Sequence, residues 1–207
     1  MAIRINSDAS TIKRSANTPT RNAFTLAGWF NFSSFRNGSF WGPLGIYNGT
    51  DGTPGASSPY LQISSDTSTG NGVLDLWWPD SGNNALSATL FTAQLGTWYF
   101  IALTGSGTGV GNVNAYVRSL ASNALTVATN STTTNTFTPN RMEWGRDGFS
   151  GDQIDGSAFG CVAFDRALTS RELLILSYAL IQERIPDDTS LNVYYRLRGN
   201  GDIYDLS

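Results

Sequence analysis

Three features of this 207-residue sequence predict an all-β chain folded as two antiparallel sheets packed face to face, with one helix. Segments with apolar residues at every second position recur along the chain, separated by turn-rich stretches at hairpin-like intervals. A single stretch carries a helix signature, a T-x-x-E capping box at Thr169 and Glu172 that opens a helix over about 169–184. No alternation of strands with helices occurs, which argues against a parallel sheet. The length suits one large domain, residues 1–207, able to bury about 70% of its unfolded surface without disulfides or metal.

The elements follow in order. Ile3 and Ile5 suggest a short first strand. From Phe24 the pattern sharpens: Phe24, Leu26, Phe30 and Phe32 share one face, while Thr25, Ala27 and Asn31 fall on the other. Trp29 is the exception on that second face, so it must pack against something or be exposed for use. Residues 33–59 are rich in Gly and Pro and read as a long loop or two short strands with large turns. Tyr60–Ser64 and Val73–Trp78 read as a strand pair; Leu74, Leu76 and Trp78 face one way, Val73, Asp75 and Trp77 the other. Ala85–Phe91 and Thr97–Leu103 follow, and the second is apolar on both faces, as a central strand covered on both sides would be.

The glycine-rich stretch from Gly105 to Asn112 lacks the G-x-G-x-x-G spacing and the lysine of a phosphate-binding loop. An alternating strand, Val113–Arg118, follows it, so it reads as a hairpin connection. Strands at Leu125–Val127 and Thr136–Trp144 precede an acidic, glycine-rich turn holding Asp147, Asp152 and Asp155. Ala158–Phe164 is a short apolar run with no helical spacing, a strand buried on both sides. Arg166 then stands at the corner before the helix, suited to holding it through carbonyls or Asp165. Leu191–Leu197 is the last strand.

Composition excludes several classes. There is no histidine, which removes Ser-His-Asp and Cys-His catalysis and most zinc sites. Cys161, the only cysteine, lies in the apolar run and reads as a small buried hydrophobe. Charged residues make up 14%, so the surface is built largely of Ser, Thr, Asn and Gly. Lys13 is the only lysine, the arginines are scattered singly, and the net charge is −3, which argues against nucleic-acid binding. No apolar run approaches the roughly 18 residues of a membrane span, and the first residues do not read as a signal peptide. This composition is that of a protein living outside cells. Three explanations fit the missing export signal: a signal absent from this sequence, one domain of a larger protein, or a virion component. A virion or another extracellular surface is therefore the expected location.

Three blocks resemble one family. Phe24–Phe30, Gly96–Leu103 with Gly111–Val117, and the stretch holding Ile154, Asp155 and Gly156 with Phe164–Leu173 are similar to laminin-G-like domains of the concanavalin A-like lectin/glucanase superfamily. Leu191–Leu197 with Tyr204–Ser207 echoes the family's tail. The resemblance implies a jelly-roll sandwich, a glycan- or protein-binding module, and in many members a Ca²⁺ at the sandwich edge. Stand-alone copies also occur among phage structural proteins.

The candidate sites follow. Sugars stack on exposed aromatic rings and bond to nearby Asp, Asn or Arg, which selects Trp41, Tyr60, Asp75 and Trp77 as ligand-binding residues. Calcium takes six to eight oxygens, and Asp147, Asp152 and Asp155 supply candidate ligands. The glucanase carboxylate motif E-x-D-x-x-E is absent, and the three glutamates are Glu143, Glu172 and Glu183. The expectation is therefore a non-catalytic, lectin-like attachment module that binds glycan. The alternative is a decoration or assembly protein that binds other capsid or tail subunits, as a homo-oligomer or within a larger particle.

Overall fold

A computed structural model describes residues 2–5, 12–14, 23–35, 41–50, 53–54, 60–65, 72–82, 84–134, 139–146, 153–184, 189–197 and 203–205. In chain order the strands are β1 (Ile3–Ile5), β2 (Ile12–Arg14), β3 (Phe24–Ser34), β4 (Leu44–Tyr47), β5 (Gly49–Thr50), β6 (Thr53–Pro54), β7 (Tyr60–Ser65) and β8 (Val73–Pro79). Then come β9 (Ala85–Thr92), β10 (Trp98–Gly105), β11 (Val113–Ser119), β12 (Thr126–Thr129), β13 (Arg141–Trp144) and β14 (Asp155–Phe164). Helix α1 (Ser170–Ile181), β15 (Leu191–Leu197) and β16 (Ile203–Asp205) complete the set.

The fold is a two-sheet antiparallel jelly-roll sandwich. One sheet has eight strands in the order β12-β11-β10-β3-β14-β15-β16, with β1 also paired to β14. The other has six, β2-β13-β4-β7-β8-β9. The strand β14 is shared along one edge: Ile3 of β1 pairs with Ala158 in its first half, and Tyr195 of β15 with Cys161 in its second.

The parity read from the sequence decides what each face meets. Phe24, Leu26, Phe30 and Phe32 join Leu44, Ile46, Leu61, Ile63, Leu74 and Leu76 in the core between the sheets. Trp29, on the opposite face, is buried in a second apolar cluster with Phe100, Val162, Leu173, Leu176 and Leu180, formed where α1 lies on the outer face of the larger sheet. Its indole N–H donates to the Ser177 carbonyl at 3.1 Å. β10 contributes to both layers, Ile101 and Leu103 to the first and Phe100 and Ala102 to the second.

β14 also meets both layers, and it breaks register midway. Phe159 pairs with Trp29 and Val162 with Ala27, so Gly160 and Cys161 face the single residue Gly28. Gly160 sits at φ +59, a conformation that glycine adopts freely. Beside this bulge the Ala27 carbonyl accepts the Trp144 indole N–H at 3.0 Å, a hydrogen bond from one sheet to the other. Cys161 is fully buried, and burial pushes its thiol far above the ordinary range.

α1 is fixed at both ends. Thr169 is the N-cap: its Oγ accepts from the Glu172 N–H at 3.3 Å, and the Glu172 carboxylate accepts from the Thr169 N–H at 2.7 Å. Arg166 holds the corner, with Nη2 2.7 Å from Glu172 Oε1 and Nε donating to Ser190 Oγ at 3.0 Å. Thr25 Oγ donates to the Arg166 carbonyl and accepts from the Leu168 N–H, which ties β3 to the same corner. At the C-terminus Glu183 donates to the Leu180 carbonyl and Arg184 to that of Ala179, a Schellman motif. Glu183 occupies its left-handed position at φ 54, where glycine is usual.

Two predictions follow from the helix ends. Glu183→Gly should relieve the left-handed strain, stabilising by about 1 kcal/mol and raising the melting temperature by about 2–4 °C. Glu172 has its carboxyl lowered from 4.5 to about 2, first by the Arg166 hydrogen bond and then by the Thr169 N–H. Because the folded value is the lower one, its stabilisation is complete above about 4.5 and is lost as pH falls towards 2. Glu172→Gln should therefore melt below the wild type at neutral pH, and the gap should close over that interval in melts run across pH.

Candidate functional site

Alternation along the six-stranded sheet sends one set of side chains into the core and the other to its outer face. On the outer face one row runs straight across four strands. Glu143 of β13 pairs with Gly45 of β4, Gly45 with Gln62 of β7, and Gln62 with Trp77 of β8. Ser64 and Asp75 form the next pair along. Three inter-strand steps put Glu143 and Trp77 roughly 14 Å apart at their backbones.

This face is polar yet buried. Glu143, Arg146, Gln62, Ser64 and Asp75 all lie below a tenth exposed, and Trp77 is half-buried. At one end the Arg146 Nε and Nη2 each lie 2.7 Å from a Glu143 oxygen, the two-pronged grip by which guanidinium holds carboxylate. The Tyr47 hydroxyl donates to Glu143 Oε1 at 2.6 Å. Burial raises the Tyr47 phenol well above its ordinary value, and the Glu143 charge and hydrogen bond add to that, so Tyr47 serves as a neutral donor. At the other end the Gln62 side-chain carbonyl oxygen is buried beside Trp77 without a hydrogen-bond partner among the described residues.

The residues singled out from sequence are distributed unevenly. Trp77 and Asp75 stand together on this face, two residues apart on β8. Tyr60 opens β7 and pairs with Tyr47 of β4. Trp41 is corrected: it is 2% exposed and packs in the inter-sheet core, edge-on to Phe32 at 5.3 Å and stacked on Phe35 at 5.4 Å, so no ring face remains for a ligand. Of the calcium candidates, Asp147 and Asp152 lie outside the described residues. Asp155 is 2.6 Å from Arg4 Nη2 and accepts from Ser34 Oγ, which engages both of its oxygens. Among the described residues no group of three His, Cys, Asp or Glu is placed to hold a metal ion.

Gln62 and the Tyr47–Glu143–Arg146 network were not foreseen. Gln62 reads as an ordinary outward polar residue of a half-buried strand. The network had one local signal, an acid and a base three residues apart in a chain with few charges. Its third member comes from another strand, 96 residues away along the sequence.

No family model matches the sequence, and no curated protein is found similar to it. Solved structures do share the fold. The enzymatically active domain of tailspike protein 2 from bacteriophage CBA120 matches with a TM-score of 0.59 and 16% identity, over 95% of this chain and 31% of that one. Trypanosoma rangeli sialidase in complex with sialic acid matches at 0.55 and 19% identity, over 81% of this chain and 24% of that one. The carbohydrate-binding module of Ruminococcus gnavus IT-sialidase, bound to α2,3 sialyllactose, matches at 0.57 and 14%, over 84% of this chain and 95% of that one. The chain thus spans less than a third of the tailspike and sialidase chains. These likenesses establish the lectin-like sandwich as the fold class. They also correct the expectation of a non-catalytic chain: the fold occurs in an enzymatically active tailspike domain and within sialidases, so lacking histidine and E-x-D-x-x-E excludes too much. No helix among the described residues is long and apolar enough to cross a membrane.

The buried ion pair gives a stability test. Glu143→Ala would leave Arg146 without this carboxylate in a buried setting and should cost about 3–5 kcal/mol. Tyr47→Phe, which removes one hydrogen bond to a charged group, should cost about 1.5–3 kcal/mol. Denaturant unfolding of both variants measures the order and the size.

Proposed function

We propose that this chain is a glycan-recognition module of the laminin-G-like, concanavalin A-like kind, serving attachment on a phage virion or another extracellular surface. The observation that carries this reading is the unpartnered Gln62 amide oxygen next to the half-buried Trp77 ring on the polar face. A sugar offers hydroxyl groups that donate to the Gln62 amide oxygen, and an apolar face of the kind that lies on indole rings. Asp75 beside Trp77 is a further acceptor for hydroxyls, and Tyr60 at the start of β7 belongs to the set to be tested. The Glu143–Arg146 pair, with Tyr47, keeps the far end of the face rigid. Likeness to a phage tailspike domain and to a carbohydrate-binding module supports the reading.

A second reading is assembly with other protein subunits, and a different observation favours it. The outer face of α1 exposes Ile175, Tyr178 and Ile181. Such a stripe suits a contact with another subunit.

A glycan array tests the first reading. The wild type should bind a restricted set of glycans, with Trp77→Ala and Gln62→Ala weakening that binding by about 30-fold, or about 2 kcal/mol, at unchanged melting temperature. Loss of the arrayed glycan during incubation would show that it is also cut. A wild type silent on every glycan but forming stable oligomers through α1 would overturn the glycan reading in favour of assembly.

A further inference from the structure

We infer that Arg118 is the floor of a second ligand site, on the other side of the molecule from Trp77, that takes a carboxylate. Arg118 lies on β11 with its side chain on the outer face of the eight-stranded sheet, 2% exposed. Its guanidinium is held between two rings, 5.2 Å from the Trp29 centroid and 4.3 Å from that of Tyr178. Nη1 donates to the Ser122 carbonyl at 2.6 Å. Nε and Nη2 are buried and have no hydrogen-bond partner among the described residues, and no described carboxylate pairs with this cation.

Those two N–H groups form one edge of the guanidinium, the fork that grips a carboxylate through two parallel hydrogen bonds. The protein uses that same edge elsewhere: Arg146 fills it with Glu143, both contacts at 2.7 Å. In Arg118 the edge is made and left open. A desolvated cation without a counter-charge is costly to keep, so an open fork at this depth is suited to an anion from outside the chain. A carboxylate is planar like the guanidinium and meets Nε–H and Nη2–H together, a closer match than tetrahedral phosphate makes. Access lies past Tyr178, which is 39% exposed and tethered through its hydroxyl to Asn123 Oδ1 at 2.8 Å. Of the two rings, Tyr178 is the one at the surface, so we place the way in beside it.

The carboxylate comes from an acidic sugar or from an acidic side chain of another protein, and two probes separate the sources. Glucuronate and a glutamate-containing peptide are titrated against ¹⁵N-labelled protein, following the Arg118 Nε–H resonance assigned by its loss in Arg118→Lys. At least one probe should shift that resonance saturably, while glucose and inorganic phosphate should not. A response to glucuronate alone assigns an acidic sugar, and a response to the peptide alone assigns a protein partner. Tyr178→Ala should tighten the response several-fold by removing the surface ring over the guanidinium, and Trp77→Ala should leave it unchanged, so this site stands or falls separately from the polar face. If neither probe moves the resonance in the wild type or in Tyr178→Ala, the proposal is wrong and Arg118 is a cation clamped between rings for structure alone.

Discussion

The demand placed on β14 governs this fold. One strand must pair with β3 along its length, with β1 in its first half and with β15 in its second, while its two faces feed two different apolar layers. β10 feeds both layers by plain alternation, but β14 also changes its edge partner midway, from β1 to β15. The bulge at Gly160 is the solution, because one extra residue bends and twists the strand between its two halves. What surrounds the bulge depends on it. Phe159 is placed to stack on Trp29 at 6.0 Å, Cys161 turns into the inter-sheet core beside Gly28, and the Ala27 carbonyl next to it receives the Trp144 indole. The link between the sheets and the seat of the helix therefore share one irregularity.

The two faces of the sandwich solve different problems. The larger sheet covers its outer face with a helix, so apolar residues line both of its sides. The smaller sheet keeps an outer face that is polar and yet buried, a costly arrangement unless each group finds a partner. At the β13 end the cost is offset within the protein by the Tyr47–Glu143–Arg146 network. At the β7–β8 end it is not: Gln62 is left unanswered beside a half-buried indole. An unevenly satisfied polar face of this kind is where a ligand has the most to contribute, since it supplies hydrogen bonds the chain has omitted.

Most of the architecture was legible because it rests on local patterns. The period-2 alternation of Phe24–Phe32 and Val73–Trp78 gave the correct faces, and Trp29 announced by its wrong parity that something covers the second side. The capping box placed α1 within a few residues of its observed start, while its end came three residues earlier than the predicted 184, at Ile181. The site was less legible for a physical reason. Trp41 and Trp77 are both aromatic residues near polar segments, and only the pairing of distant strands decides that one ring fills the core and the other lines a polar face. Arg118 ended an ordinary alternating strand, and nothing nearby in sequence signalled the missing counter-charge. Exclusion by absent motif reached too far for catalysis, because the fold also occurs within an enzymatically active tailspike domain and a sialidase that share little sequence with this chain.

The pairing of β3 has a consequence for how the molecule is made. β3 ends at residue 34, but its two neighbours are completed only at residues 105 and 164. One edge of β3 therefore waits for residue 105 and the other for residue 164. Such long-range closure makes for slow folding and a long exposure of sticky backbone. The chain fits a route in which β7, β8 and β9 pair early as neighbours in sequence and the central strand is inserted last. In a particle assembled from many copies, that interval would decide whether new chains reach their own partners before they reach each other.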